Sequence, residues 1–314
     1  DRFRRLAFMD VSGILTLGGT ILGTSNIADP FKYPIGKGKD IRYKDMSAKV
    51  LANYRRHKLD CVICVGGDGT FRIAEEFRKR GLPNMICIPK TIDNDVRETD
   101  LSVGFHSSMG TAAEAIDKIH STAQSHHRIM VVEVMGRYAG WLALYAGVAS
   151  GGDVILIPEI PFDIQKVCKV VSRRSKTGKR FTIIVVAEGA TQKGGAMVVK
   201  KIIDKSPDKV RLGGIGNVIA EQIEKITGLE VRVTVLGHLL RGGSPSSLDR
   251  ILATQFGTTA VRLALKGRFG LVVTLKGHNV VPIPISKVGY GPRKVPHNHP
   301  ILEMARSVGT SFGA

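Results

Sequence analysis

Along the chain, short apolar runs alternate with segments whose apolar residues recur at three- and four-residue spacing. The runs Cys61–Val65, Met85–Ile88, Ile129–Val134, Val154–Ile157, Phe181–Ala187, Val231–Leu236 and Leu271–Leu275 are nearly unbroken and rich in β-branched residues. Such runs predict parallel strands covered by helices on both faces. Between them, Phe71 to Lys79, the set Val218, Ile219, Ile223 and Ile226, and the set Leu248, Ile251, Leu252 and Phe256 predict amphipathic helices. The pattern is α/β. So many strands exceed one mononucleotide-binding unit, so the expectation is two doubly wound Rossmann-like domains with a cleft between them. No Pro- or Ser-rich linker separates two halves, which predicts that the chain crosses between the domains more than once.

Composition narrows this picture. Of 314 residues 43% are hydrophobic, enough to bury real cores and to exclude disorder as the main description. The longest uncharged stretch, Tyr138 to Gly152, is too short to span a bilayer, which needs about 20 apolar residues. Four cysteines cannot scaffold a chain this long, and the start carries no signal-peptide pattern, so a cytoplasmic location is expected. Cys61 and Cys64 lie in a strand-like run, where an odd spacing sends side chains to opposite faces, and are read as core residues. The 46 Lys and Arg against 27 Asp and Glu leave a net charge of +19. Single-strand nucleic-acid binders pair basic grooves with aromatic platforms, and the 6% aromatic residues here are not interleaved with the basic clusters.

Three segments carry chemistry. The strand Cys61–Val65 runs into Gly66-Gly67-Asp68-Gly69-Thr70 and then a helix, a turn that lets backbone approach a phosphate while the helix start attracts anions. Asp68 in such a loop makes sense if Mg²⁺ lies between it and the phosphates; an ordinary β–α turn is the alternative. The second strand ends in Pro89-Lys90-Thr91-Ile92-Asp93-Asn94-Asp95. Asp93 and Asp95 share a side of an extended segment, and with Thr91 and Lys90 make an acid/base and phosphate site at the edge where α/β sheets bind ligands; a helix cap or Asx turn before Val96 is the competing account. Third, Ser125-His-His-Arg128, Met135-Gly136-Arg137 and Arg232 to Arg241 set four arginines and His238 beside strand ends; each arginine alone reads as a solvated surface charge, and the four together make the better case for a bound phosphate ester.

In this order, G-G-D-G-T, P-K-T-I-D-N-D, S-H-x-R, V-E-V-M-G-R-Y-A-G, V-A-E-G and V-L-G-H-x-x-R-G-G-S-P resemble the ATP-dependent 6-phosphofructokinases, closest to the mixed-substrate or group III subgroup. The resemblance runs from about Gly18 to about Gly277; other kinases with G-G-D-G-T lack the rest of the series. It implies that residues 1–104 with 240–285 form the donor domain and 105–239 with 286–314 the sugar-phosphate domain. It implies Asp93 as the general base for the 1-hydroxyl of fructose 6-phosphate, Asp68 as the Mg²⁺ ligand, and Gly67, Asp68, Gly69 and Thr70 as the ATP phosphate cradle. Thr91, Asp93, Met135, Gly136 and Arg137 would line the sugar, Arg137 also steadying the transferring group with Lys90 near it. Glu188 would hold sugar hydroxyls. His238 and Arg241 would bind the 6-phosphate, joined by Arg128 and Arg232 from a neighbouring subunit, which implies a homo-oligomer, dimer or tetramer.

Two positions disagree about the donor. Gly69 leaves room for a nucleotide where pyrophosphate-using relatives carry an aspartate, while Lys90 matches the pyrophosphate-type pattern. Gly69 weighs more, because a steric and charge block is a veto. Asn26 stands where common bacterial members carry an ATP-binding arginine, and Asp1–Leu17 shows no G-G-D-x-P-G loop, so a preceding βαβ-sized piece of about 30 residues is expected. A non-catalytic regulatory or assembly subunit of the same fold is the other class. Between Lys166 and Arg211, 13 Lys or Arg face three acids; this stretch is expected to serve an anionic effector or a subunit contact.

Overall fold

The computed structural model describes residues 3–25, 28–36, 40–202, 210–288 and 291–314; Asn26 and part of the basic stretch lie outside them. The chain opens with α1 (Phe8–Val11), β1 (Tyr33–Ile35), β2 (Arg42–Lys44) and α2 (Ser47–Arg56). Then come β3 (Val62–Gly66), α3 (Asp68–Lys79), β4 (Met85–Pro89), α4 (Phe105–His126), β5 (Ile129–Val134), α5 (Trp141–Ala149), β6 (Val154–Leu156) and α6 (Ile164–Lys176). The rest is β7 (Thr182–Ala187), β8 (Val199–Ile202), β9 (Val210–Leu212), α7 (Ile215–Thr227), β10 (Val231–Val235), α8 (Ser247–Leu265), β11 (Leu271–Lys276), β12 (Asn279–Pro284) and α9 (Pro300–Ser307).

Two four-stranded sheets organise these elements. One, in the order β10-β5-β7-β6, is parallel throughout; the other runs β12-β11-β4-β3, parallel except for the β11–β12 hairpin. Each expected strand is present. Connections within a sheet run through α3, α5, α6 and α7 and those between the sheets through α4 and α8, and their apolar faces fill separate cores. On one side of the first sheet Ile116, Val132, Leu144, Ile155 and Val185 pack together; on its other side Val131, Val167, Ile184, Ile219 and Ile223 do. Phe71, Phe77, Cys87 and Val272 cover one face of the second sheet, and Ile86, Phe256, Ala260 and Val273 the other. The chain enters the β5 sheet through α4, returns through α8, and ends in α9 against the β5 sheet, with Leu302 and Ala305 in its core.

Three features depart from the apolar pattern. The edge strand β3 alternates, with Ile63 and Val65 exposed, because only one of its faces is covered among the described residues, and the edge strand β10 is buried at Val231 but exposed at its end, Val235. Strand β12 escapes detection because Pro282 and Pro284 interrupt it; prolines are tolerated there as it pairs on a single side, an edge position. His299, in the polar C-terminal segment, caps α9 through Nδ1, which accepts from Ile301 N–H, and its ring meets Trp141 edge-on at 5.1 Å.

Cys64 and Cys87 face each other on adjacent strands in the second core, while Cys61 is half-buried. In the basic stretch, Arg174 is taken out of the surface by an ion pair with Asp153 at 2.7 Å and a bond to the Phe181 carbonyl. Lys169, Arg173 and Lys176 instead line a surface concavity of about 420 Å³ between α6 and Ile226 of α7. Among the described residues no helix is long and apolar enough to cross a membrane.

Candidate active site

The Gly-rich turn is built by contact with its own helix. Gly66 ends β3, and a Cβ there would sit 2.2 Å from Thr70 Oγ1, so only glycine lets the Thr70 side chain fold back on the strand end. Gly67 is the N-cap of α3 and Asp68 its first residue, with Oδ1 accepting from Gly69 N–H at 2.6 Å. The start of α3 thus sets a carboxylate at the amino end of a helix, the end that attracts anions. A Cβ on Gly69 would meet nothing within 4 Å.

The loop after β4 is closed on itself and on β11. Lys90 N–H bonds Gly66 O and Thr91 N–H bonds Val103 O, tying the loop's start to β3 and its end. Asn94 is buried at a left-handed φ of 50°; its amide donates to Asp100 O, and its carbonyl accepts from Ser102 N–H at 3.0 Å. Thr99 and Asp100 bond β11 through Leu275 N–H and Gly277 N–H. No helix follows Val96, which removes the helix-cap account of the two aspartates; α4 begins only at Phe105.

These contacts hold Asp93 and Asp95 away from water. Burial, then Glu188 and Asp68, push Asp93 up to about 6, against the opposing pull of Arg241 and Lys90. Burial, then Asp93 and Asp68, push Asp95 up to about 7. The residue Asp93 keeps some surface, yet its Oδ1 is shut off from solvent and has no hydrogen-bond partner. Asp93 N–H bonds Thr91 Oγ1 at 3.2 Å.

From the other sheet, Glu188 follows β7 and Met135, Gly136 and Arg137 follow β5. Glu188 is raised by burial, then by Glu133, and held down by Arg137, Arg241 and the Gly136 N–H. Gly136 has a left-handed φ of 137°. Gly189 explains the glycine after Glu188: a Cβ there would lie 1.9 Å from the Arg137 carbonyl oxygen. The Arg137 guanidinium lies over the Tyr138 ring at 4.9 Å. Arg241, in the turn 237–241 after β10, donates to the Met135 sulfur at 3.4 Å. His238 is exposed in the same turn. The structure therefore brings together Asp68, Lys90, Asp93, Glu188, Arg137 and Arg241.

Arg128 and Arg232 are elsewhere. Arg128 precedes β5 and Arg232 is the second residue of β10, both at the amino end of their strands and both paired with Glu230. At about 3.3 Å per residue, the six residues of β5 separate Arg128 from Arg137 by about 20 Å. They cannot share a site within one chain.

Two residues escaped the sequence reading. Glu133, buried in β5, accepts from Gly214 and Gly216 N–H, pinning the start of α7, and pushes Glu188 up. Asp249, buried in α8, accepts from Gly104 and Ser107 N–H, joining the start of α8 to the start of α4. A charged residue inside an apolar run, as in Ile129–Val134, is the signal that marks Glu133.

Carboxylates, arginines and a Gly-rich helix start gathered from the carboxyl ends of two parallel sheets form the architecture of an α/β phosphotransferase. The chain belongs to the phosphofructokinase family, whose model matches residues 1–264. It is 48% identical over 304 residues to the ATP-dependent 6-phosphofructokinase of Spirochaeta thermophila, covering 97% of this chain and 82% of that one. It is 47% identical to ATP-dependent 6-phosphofructokinase 2 of Clostridium perfringens, covering 99% and 85%. Among solved structures, the Pichia pastoris phosphofructokinase in the T-state matches with a TM-score of 0.75 and 31% identity, over 90% of this chain and 31% of that longer one. A pyrophosphate-dependent phosphofructokinase from Marinobacter aquaeolei matches with a TM-score of 0.69 and 26% identity, over 81% and 66%.

Proposed function

We infer that this chain is an ATP-dependent 6-phosphofructokinase: it transfers the γ-phosphoryl group of ATP to the 1-hydroxyl of fructose 6-phosphate. The hydroxyl oxygen forms the new P–O bond as the bond to the ADP oxygen breaks, and Asp93 takes the hydroxyl proton. The observation that carries this assignment is the buried, unpartnered Oδ1 of Asp93 at the end of β4, on a carboxyl raised to about 6. Such a group is ionised at neutral pH and still basic enough to accept a proton.

Arg137 and Arg241 offset the charge of the transferring group and the sugar phosphate. Glu188, Met135 and Gly136 hold the sugar, and Thr91 orients the Asp93 backbone. Gly67, Gly69 and Thr70 receive the donor phosphates at the start of α3, with Lys90 nearby. His238 and Arg241 bind the 6-phosphate, completed by Arg128 and Arg232 of a second copy in a homo-oligomer, since neither can reach its own chain's site.

Mg²⁺ fits this set. Asp68 raises both Asp93 and Asp95, a repulsion that a cation at Asp68 relieves. Among the described residues no three Asp, Glu, His or Cys side chains converge on one point, so the ion would rest on Asp68 and on phosphate oxygens, the usual arrangement for Mg²⁺. When bound it neutralises charge on those oxygens. A cytoplasmic location accords with this chemistry.

Lys90 supports a second reading, pyrophosphate as donor. The test is formation of fructose 1,6-bisphosphate read through aldolase with ATP and pyrophosphate in parallel. Faster turnover with ATP is expected. Faster turnover with pyrophosphate would reverse the donor, and sugar-phosphate binding without turnover on either donor would favour a regulatory subunit.

A further inference from the structure

Arg293 lies outside every motif above, yet it hydrogen-bonds the Asp93 loop at Asn94, Asp95 and Asp100. Its backbone N–H donates to Asp95 O at 2.6 Å. Its guanidinium donates to Asn94 O at 3.0 and 3.3 Å and to Asp100 O at 3.1 Å. On the opposite side its carbonyl accepts from Trp141 Nε1 at 2.8 Å, and its guanidinium carbon lies 4.3 Å from the centre of the Trp141 ring. Two residues on, Val295 N–H donates to Glu159 Oε1, whose carboxylate also accepts from Gly140 N–H. One short segment therefore laces the loop after β4 to the start of α5, which follows the Met135–Arg137 turn of the other sheet.

We propose that Arg293 is a positioning residue that sets the Asp93–Asp95 loop against the Met135–Arg137 turn, fixing the gap that the phosphoryl group must cross. The proposal rests on the reading of Asp93 as base. The Asp100 carbonyl accepts from the Asn94 side-chain amide inside the loop and from Arg293 outside it, while the Asn94 carbonyl accepts twice from the Arg293 guanidinium, so Arg293 adds an outside donor to a loop whose interior is closed by Asn94. A planar guanidinium does this and stacks on an indole at once; an ammonium cannot do both. Burial pulls the Arg293 pKa down, while Asp100, Tyr145 and Asp95 push it back. Small displacements of a reacting group are costly, about 100-fold for a shift of about 1 Å.

The chain has one tryptophan, Trp141, so its fluorescence reports this junction alone. The experiment measures kcat, both KM values and Trp emission for Arg293→Met, Arg293→Lys and Asp93→Asn in the whole chain. Arg293→Met should lower kcat by about 10- to 100-fold with the ATP KM within about twofold, and should shift the emission. Arg293→Lys should recover part of kcat but not the emission, and serves if the methionine variant does not fold. Asp93→Asn should lose turnover with emission unchanged. Wild-type kcat in both Arg293 variants overturns the positioning role, as does a fall in kcat matched by an equal rise in both KM values. Wild-type kcat in Asp93→Asn instead overturns the base assignment.

Discussion

After burial, the charge of Glu188 at the end of β7 does most to raise the pKa of Asp93 beyond the end of β4. Two sheets thus meet in one electrostatic pair, and a pH profile reads it. The base must be ionised, so kcat/KM for fructose 6-phosphate should fall as pH drops through about 6. Glu188→Gln removes the raising charge, so the acid limb of kcat/KM should move to lower pH. A limb that stays in place or moves up contradicts the pairing.

The raised pKa also has a cost in stability. Its folded value of about 6 exceeds the ordinary aspartate value of 3.8, so the contribution of this carboxyl is fully present below about pH 4 and is lost as pH rises through about 6. Replacing it by the neutral isostere removes that loss. Asp93→Asn should therefore be more stable than wild type at pH 8, by about 3 kcal/mol, with the difference vanishing near pH 3.5. Thermal denaturation at the two pH values checks both sign and window.

Gly69 separates donor recognition from folding. Its Cβ position is open and it stands in the first turn of α3, where an added carboxylate favours the helix. Gly69→Asp should hold or raise the melting temperature while raising the ATP KM at least about 10-fold, the scale of one repelled anion. An unchanged ATP KM would place the nucleotide elsewhere.

Arg128 tests the shared site. Arg128→Ala and Asp93→Asn should each be nearly inactive alone, yet a mixture denatured and refolded together should regain activity, because a hybrid contains one site with Asp93 from one chain and Arg128 from the other. No recovery from a mixture shown to form hybrids would confine each site to a single chain.

Much of this arrangement can be read from the chain. Unbroken apolar runs such as Ile129–Val134 appear as strands because burial on both faces leaves no alternation to confuse them. Strand β12 stays hidden because its prolines carry the opposite signal, overridden by its position at an edge. The motifs name Asp68, Asp93 and Glu188, but the buried Oδ1 of Asp93 and its partner Glu188 depend on packing between distant segments. Arg293 is invisible for the same reason: its partners at Asn94 and Trp141 are 199 and 152 residues away in sequence. Local pattern supplies the groups; tertiary contact sets their protonation and spacing.

The most direct measurement is the ATP-dependent turnover of Asp93→Asn at pH 8 with saturating fructose 6-phosphate, alongside sugar-phosphate binding to the same variant. Turnover should fall at least about 1000-fold, the scale of a removed general base, with sugar-phosphate affinity within a few-fold of wild type, as the role of Asp93 as base requires. Turnover equal to wild type would contradict that role.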